Sequence, residues 1–324
     1  MNCRICDSNS TIFVDVFWPY EDYKAEVFDC HSCGCRFVAH DPDAHEKLHS
    51  NPSSYIGHAI AAKTAKRWFD QGCEKKLSRL LSKSPKNKFV IDFIKERNSF
   101  KTIAEIGCSL GYLTSYFILS GYKIRGFDVS KNAVMSASRN FGDHFSVINE
   151  STLKYYAPYD AIYHVGTIGC VANPIAMTND LLGLLRPGGW LLFNSPNRRH
   201  IDQNGEIWLN TPPPDLVTIF PRKFWDKFPA SLEQVITKET YMSQGNKLIS
   251  GWIKHNRAIN KRRIVGDQYL NSGRQKTLIN RLVDQLIRGG LKLALGQFQS
   301  GTVEPFGVYV AMQKSLVHDR KHRP

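Results

Sequence analysis

The chain has 324 residues, 42% of them hydrophobic, and a formal net charge of +14. That length and apolar share suit one large domain with additions, or two domains, around a properly buried core. No uninterrupted apolar run is long enough for a membrane-spanning helix, and the positive balance favours anionic partners: nucleic acid, an anionic lipid surface or phosphorylated substrates.

The chain opens Met1-Asn2-Cys3-Arg4-Ile5-Cys6, with no apolar stretch of signal-peptide type, so a cytoplasmic location is expected. Five of the eight cysteines lie in the first 35 residues, while Cys73, Cys108 and Cys170 are isolated. This distribution fits an N-terminal metal site in a reducing compartment better than a disulfide framework. Cys3-x2-Cys6 and Cys30-x2-Cys33 are two knuckle pairs. Each places two sulfurs on one tight turn, and four thiolates make a closed, structural zinc tetrahedron. His31 and Cys35 are spare donors, and a hairpin over 11–17 and 25–28 is expected between the pairs. Residues 1–40 are therefore read as a small zinc-ribbon-like unit.

Residues 41–100 read as a polar, helical connector or cap. Loop chemistry at Asp41-Pro42-Asp43 leads to a helix over 59–81, stopped by Ser84-Pro85, and a short helix over 89–97. From 101 to about 196, strands and helices alternate. Strands end at Ile106 and Asp128, span 145–148 and 159–165, and resume at Trp190; helices are expected over 111–120, from the N-cap Ser130, and over 174–185. That alternation predicts an α/β, doubly wound, mostly parallel sheet with helices on both faces. The domain is taken to run over 101–324, ending in a strand at 307–312. A basic helical insertion is expected at about 245–300, with Leu278, Ile279, Leu282, Val283, Leu286 and Ile287 at helical spacing.

The richest segment is Ala104-Glu105-Ile106-Gly107-Cys108-Ser109-Leu110-Gly111-Tyr112. A dinucleotide fingerprint needs glycine at three positions, where this chain has Gly107, Ser109 and Tyr112. The pattern that fits is acid-x-Gly-x-small-x-Gly, in which Gly107 and Gly111 let backbone approach a ligand closely. Such a loop suits a smaller zwitterionic ligand than a pyrophosphate. Asp128, at the end of the next strand, is placed to accept hydrogen bonds from two ribose hydroxyls.

From about 104 to 197 the chain resembles a class I S-adenosylmethionine-dependent methyltransferase. The resemblance is carried by Glu105 to Gly111, by Gly126-Phe127-Asp128-Val129-Ser130, by Tyr159-Asp160-Ala161-Ile162, by Val171-Ala172-Asn173-Pro174, and by Leu185-Arg186-Pro187-Gly188-Gly189 with Ser195-Pro196-Asn197. It implies a Rossmann-like sheet of seven strands. The methionine moiety of the donor would lie at Glu105, Gly107 and Ser109, its ribose at Asp128, and its adenine near Asn149 and Glu150. Many relatives carry a Glu-His pair where this chain has Gly169 and Cys170. His164, at the end of the fourth strand, is the replacement candidate for a catalytic base, against the alternative of a buried, hydrogen-bonded histidine. Cys170 is read as a packed small residue rather than a nucleophile. Glu206-Ile207-Trp208 and Thr211-Pro212-Pro213-Pro214-Asp215 resemble a lid, with Trp208 as a wall and Tyr55 closing from the connector.

The expected function is methyl transfer from S-adenosyl-L-methionine to a small molecule or a sugar or glycan intermediate, for which the positive net charge would suit an anionic acceptor. Two alternatives stand beside it. One is an RNA methyltransferase that grips nucleic acid with the zinc ribbon and basic tail; no base-reading motif favours it. The other is a catalytically inactive cofactor-binding protein that has lost the Glu-His pair.

Overall fold

The computed structural model describes residues 2–20, 23–49, 56–209, 211–227, 232–239, 242–243, 262–265, 268–271, 302–303 and 307–316. The chain begins with three antiparallel strands, β1 (Thr11–Tyr20), β2 (Tyr23–Cys30) and β3 (Arg36–Val38). Four helices follow: α1 (Pro42–His49), α2 (Ile56–Asp70), α3 (Glu74–Leu81) and α4 (Pro85–Lys95). The helix expected over 59–81 is thus divided. Gly72 adopts φ +61° and turns the chain between α2 and α3, a conformation that costs glycine little. Pro85 does not only end a helix; it occupies the first turn of α4, where its missing N–H costs nothing.

The central part runs β4 (Thr102–Ile106), α5 (Tyr112–Leu119), β5 (Lys123–Asp128), α6 (Lys131–Phe141), β6 (Phe145–Val147), α7 (Glu150–Tyr155), β7 (Tyr159–His164), α8 (Pro174–Gly183), β8 (Leu185–Pro196), α9 (Arg198–Asn204) and β9 (Thr218–Ile219). Local chemistry sets the helix starts. Ser130 caps α6 by accepting from Ala133 N at 3.2 Å, and Asn173 caps α8 by accepting from Ala176 N at 2.9 Å, with Pro174 following. The stretch Arg186-Pro187-Gly188-Gly189 does not separate helix from strand. β8 already starts at Leu185, opposite Tyr159, and its register shifts before Trp190 meets Ala161.

The remaining described strands are β10 (Leu232–Glu239), β11 (Met242–Ser243), β12 (Arg262–Val265), β13 (Gln268–Asn271), β14 (Thr302–Val303) and β15 (Gly307–Lys314). β12 and β13 form an antiparallel hairpin inside the segment read as a helical insertion. The apolar helical stretch expected at 278–287 lies outside the described residues, as does Tyr55.

A seven-stranded sheet has the order β10-β15-β8-β7-β4-β5-β6. β4, β5, β6, β7 and β8 are parallel, and β15 runs antiparallel between β8 and β10. Every residue of β7 is buried, as expected for a central strand covered on both sides. Successive side chains feed two cores in alternation: Ala161, Tyr163 and Leu192 join Phe93, Leu113 and Phe117 on one face, while Ile162, Leu191 and Phe193 join Leu181 and Trp225 on the other. Each such large side chain contributes about 1.5–3 kcal/mol by leaving water.

The N-terminal ribbon is built into this body. β3 pairs with β9, giving a second sheet of order β1-β2-β3-β9, and Cys3, Ile5, Cys30 and Phe37 belong to the second core.

Candidate functional site

The strand order reverses at β4, where β5 lies on one side and β7 on the other, so the loops leaving these strands open a crevice. The loop after β4 is pinned beneath the end of β5: Gly107 N and Cys108 N both donate to Phe127 O, at 2.8 and 3.0 Å. Gly107 has φ +73°, and a methyl group placed on it would lie 2.6 Å from Thr167 Oγ1. Gly111 begins α5 at φ +74°, and a methyl group there would lie 2.6 Å from the Phe145 ring. Ser109 also has a positive φ, +49°, a conformation a serine adopts at a cost.

Asp128 ties this loop to the next strand. One carboxylate oxygen accepts from Ser109 N at 2.8 Å and the other from Ser130 N at 2.9 Å. The group is half-buried, and Val129 beside it is 67% exposed, an apolar surface next to a carboxylate. Ile148 N donates to Asp128 O at 2.9 Å, which brings Asn149 and Glu150 to the same rim. Both have structural duties there. Asn149 Oδ1 caps α7 by accepting from Thr152 N at 2.8 Å, and exposed Glu150 pairs with Lys154 at 2.5 Å.

Glu105 lies deeper. Its Oε2 accepts from Thr114 Oγ1, and from the Tyr163 hydroxyl at 3.1 Å. Burial raises its pKa to about 8, and these hydrogen bonds only partly oppose that. Above the loop, α2 contributes a residue the sequence did not single out. His58 Nδ1 lies 3.3 Å from Ser109 Oγ, and its ring meets that of Tyr112 edge-on.

His164, the candidate base of the sequence, lies enclosed at the end of β7. The side chain is 0% exposed and stacks on Phe193 at 4.9 Å, and neither ring nitrogen has a hydrogen-bond partner among the described residues. Burial lowers its pKa to about 3. The ring stays neutral and is buried within the sheet. The loop beyond β7 instead gathers other groups. Cys170 Sγ donates to Asp215 Oδ1 at 3.5 Å, and a methyl placed on Gly166 would lie 3.2 Å from Lys86 Nζ. Burial lowers the Lys86 pKa, while the nearby Cys170 and Asp215 raise it. Helical periodicity flags neither Lys86 nor Asp215, because each reaches this loop only through tertiary packing. Trp208 is buried in the ribbon-side core, in the same apolar cluster as Cys170 and Leu216.

Cys3, Cys6, Cys30 and Cys33 come together, with all four sulfurs within 4.8 Å of one another. The Cys3–Cys33 and Cys6–Cys30 sulfur pairs each stand 3.7 Å apart. A tetrahedron with Zn–S bonds of about 2.3 Å has S–S edges of about 3.8 Å, so the donor set and its spacing fit zinc. His31 and Cys35 are not part of this cluster of four.

A family model described as a methyltransferase domain matches residues 64–227, half of the chain. The chain belongs to this methyltransferase-domain family. The resemblance to class I S-adenosylmethionine-dependent methyltransferases is thereby borne out. Two ubiquinone biosynthesis O-methyltransferases are similar to this chain. The protein from Sodalis glossinidius is 25% identical over 183 residues, 53% of this chain and 68% of that protein. The protein from Hydrogenovibrio crunogenus is 24% identical over 123 residues, 35% of this chain and 51% of that protein. The chain thus spans between half and about two thirds of the length of these relatives. A solved SAM-dependent methyltransferase from Archaeoglobus fulgidus superposes with a TM-score of 0.40 at 13% identity, over 70% of this chain and 92% of that one.

Proposed function

We propose that this protein transfers a methyl group from S-adenosyl-L-methionine to a hydroxyl of a small molecule or of a sugar or glycan intermediate. The observation that carries this reading is one piece of geometry in a chain of this family: the loop of Gly107, Ser109 and Gly111 held against the Asp128 carboxylate. When bound, the donor supplies a sulfonium methyl for in-line displacement. The chain's own task is positioning. Glu105 and the loop amides hold the amino-acid end, Asp128 accepts from the ribose hydroxyls, and Val129 with the 149–150 turn covers the base. An oxygen acceptor is supported by the names of the relatives.

A hydroxyl acceptor also needs a group that takes its proton. With His164 enclosed, we assign that task to the Lys86 and Asp215 side chains beside the loop after β7. Lys86→Met is expected to lower turnover by about 100-fold while leaving donor affinity within a few-fold. The zinc-loaded knuckle is assigned a structural role, as befits a closed four-thiolate site. The proposed division of the chain is a ribbon over 1–40, a helical cap over 41–100 and the methyltransferase domain over 101–324.

The experiment is incubation of the purified chain with methyl-labelled S-adenosyl-L-methionine and a fractionated cell extract. Label entering the low-mass or glycan fraction is expected. Label entering RNA would move the assignment to the nucleic-acid alternative, and donor binding with no transfer to any fraction would mark a binding protein.

A further inference from the structure

Arg4 lies between Cys3 and Cys6 in the sequence, yet its side chain reaches the loop that follows β7. Its Nη2 donates to Val171 O and to Ala172 O, both at 2.7 Å, and its Nη1 donates to Val38 O at 3.1 Å. Two successive carbonyl oxygens turned toward one point repel each other unless a cationic donor stands between them, and the forked guanidinium meets that need. The same turn sends Ile5 into the apolar cluster that holds Ile168. Elsewhere the loop after β7 is held by β9 and its approach: Val217 N and Thr218 N both donate to Gly169 O, at 2.8 and 3.0 Å. The ribbon joins in there too, with Val38 N donating to Val217 O at 3.1 Å. This loop carries Thr167, which closes on Gly107, and Cys170, which meets Asp215.

We propose that Arg4 is a positioning residue through which the metal-loaded cysteine knuckle sets the conformation of the loop after β7, and with it the acceptor side of the site. The proposal rests on the reading of that loop as an acceptor wall. The chain of contact is short. The four sulfurs fix the turn that holds Cys3 and Cys6, that turn fixes the root of Arg4, and Arg4 fixes the carbonyls of Val171 and Ala172. The knuckle therefore tunes the site without a metal touching substrate.

The test is hydrogen–deuterium exchange on the full zinc-loaded chain, read by mass spectrometry on peptides covering 165–173 and 131–141. Zinc content is measured on each sample. Arg4→Met that keeps its zinc is expected to exchange about tenfold faster over 165–173 and unchanged over 131–141, in line with loss of hydrogen bonds to a charged group. Arg4→Lys is expected to fall between, because one ammonium cannot reproduce the fork. Chelating the zinc from the wild-type chain is expected to give the Arg4→Met pattern. Wild-type protection in a zinc-retaining Arg4→Met or Arg4→Lys chain overturns the proposal, as does a loop that stays protected after chelation. Binding of S-adenosyl-L-homocysteine in the same samples reports on the donor pocket alone, so a failure of the donor reading and a failure of the Arg4 coupling are told apart.

Discussion

Glu105 holds its proton up to about pH 8 because burial outweighs the bonds from Thr114 and Tyr163. An unfolded glutamate releases its proton near pH 4.3. The folded state therefore binds more protons between these values, and the stabilisation this group gives is full below the lower value and lost as pH rises through the upper one. A ligand ammonium beside the carboxylate needs the ionised form. Donor affinity should climb by up to tenfold per pH unit from pH 6 to 8 and level off above, and Glu105→Gln should flatten the profile; titration calorimetry across pH checks both. Gly111→Ala places a methyl 2.6 Å from the Phe145 ring and 2.9 Å from Ala137 Cβ, on a backbone of positive φ. It is expected to cost about 2–3 kcal/mol, measured by urea unfolding. At this scale the glycine loop and Asp128 were legible because acid, glycine and strand-end spacing are local. Lys86, His58 and Arg4 were not, since each reaches the site from a distant segment and leaves no periodic mark. The burial of His164 was not legible for a related reason: its place at a strand end is local, but the Phe193 ring that stacks on it comes from the neighbouring strand.

At the scale of elements, strands β4, β5, β7 and β8 were readable from apolar runs bounded by glycine and proline, and the split between α2 and α3 at Gly72 was not, because both helices share one apolar pattern. The ribbon's docking was hidden for another reason. β9 has two residues, too few to show alternation, yet it completes the ribbon sheet. That joint is reinforced by ions. Arg36 binds Asp29 through Nε at 2.8 Å and Nη2 at 2.9 Å, and Arg198, at the start of α9, adds a bond to Asp29 at 2.8 Å and another to Gly34 O at 2.8 Å. Burial would raise the Asp29 pKa, but the two arginines hold it below its ordinary value. Its stabilising effect is therefore present above about pH 4 and lost as pH falls through the lowered folded value. Asp29→Ala strands two guanidinium groups in a low-exposure joint, and a loss of about 3 kcal/mol is expected in urea unfolding at pH 7.

The molecule as a whole couples two things that its sequence presents as separate, a cysteine ribbon and an α/β body. They share a core through Cys3, Ile5, Ile168 and Trp225, and a strand pairing through β3 and β9. Zinc removal should therefore lower the unfolding temperature of the body and not merely fray its first residues, which scanning calorimetry with and without chelator checks. The charge of +14 is carried partly by the basic segment, most of which lies outside the described residues, so its contribution is tested by function rather than by geometry. The proposed activity depends on a donor held between the glycine loop and Asp128. The decisive measurement is titration calorimetry of S-adenosyl-L-homocysteine into the zinc-loaded full chain and its Asp128→Asn variant. Saturable one-to-one binding, weakened by about 100-fold in Asp128→Asn, is predicted. Absence of heat in the folded wild type, or equal affinity in the variant, would contradict the account.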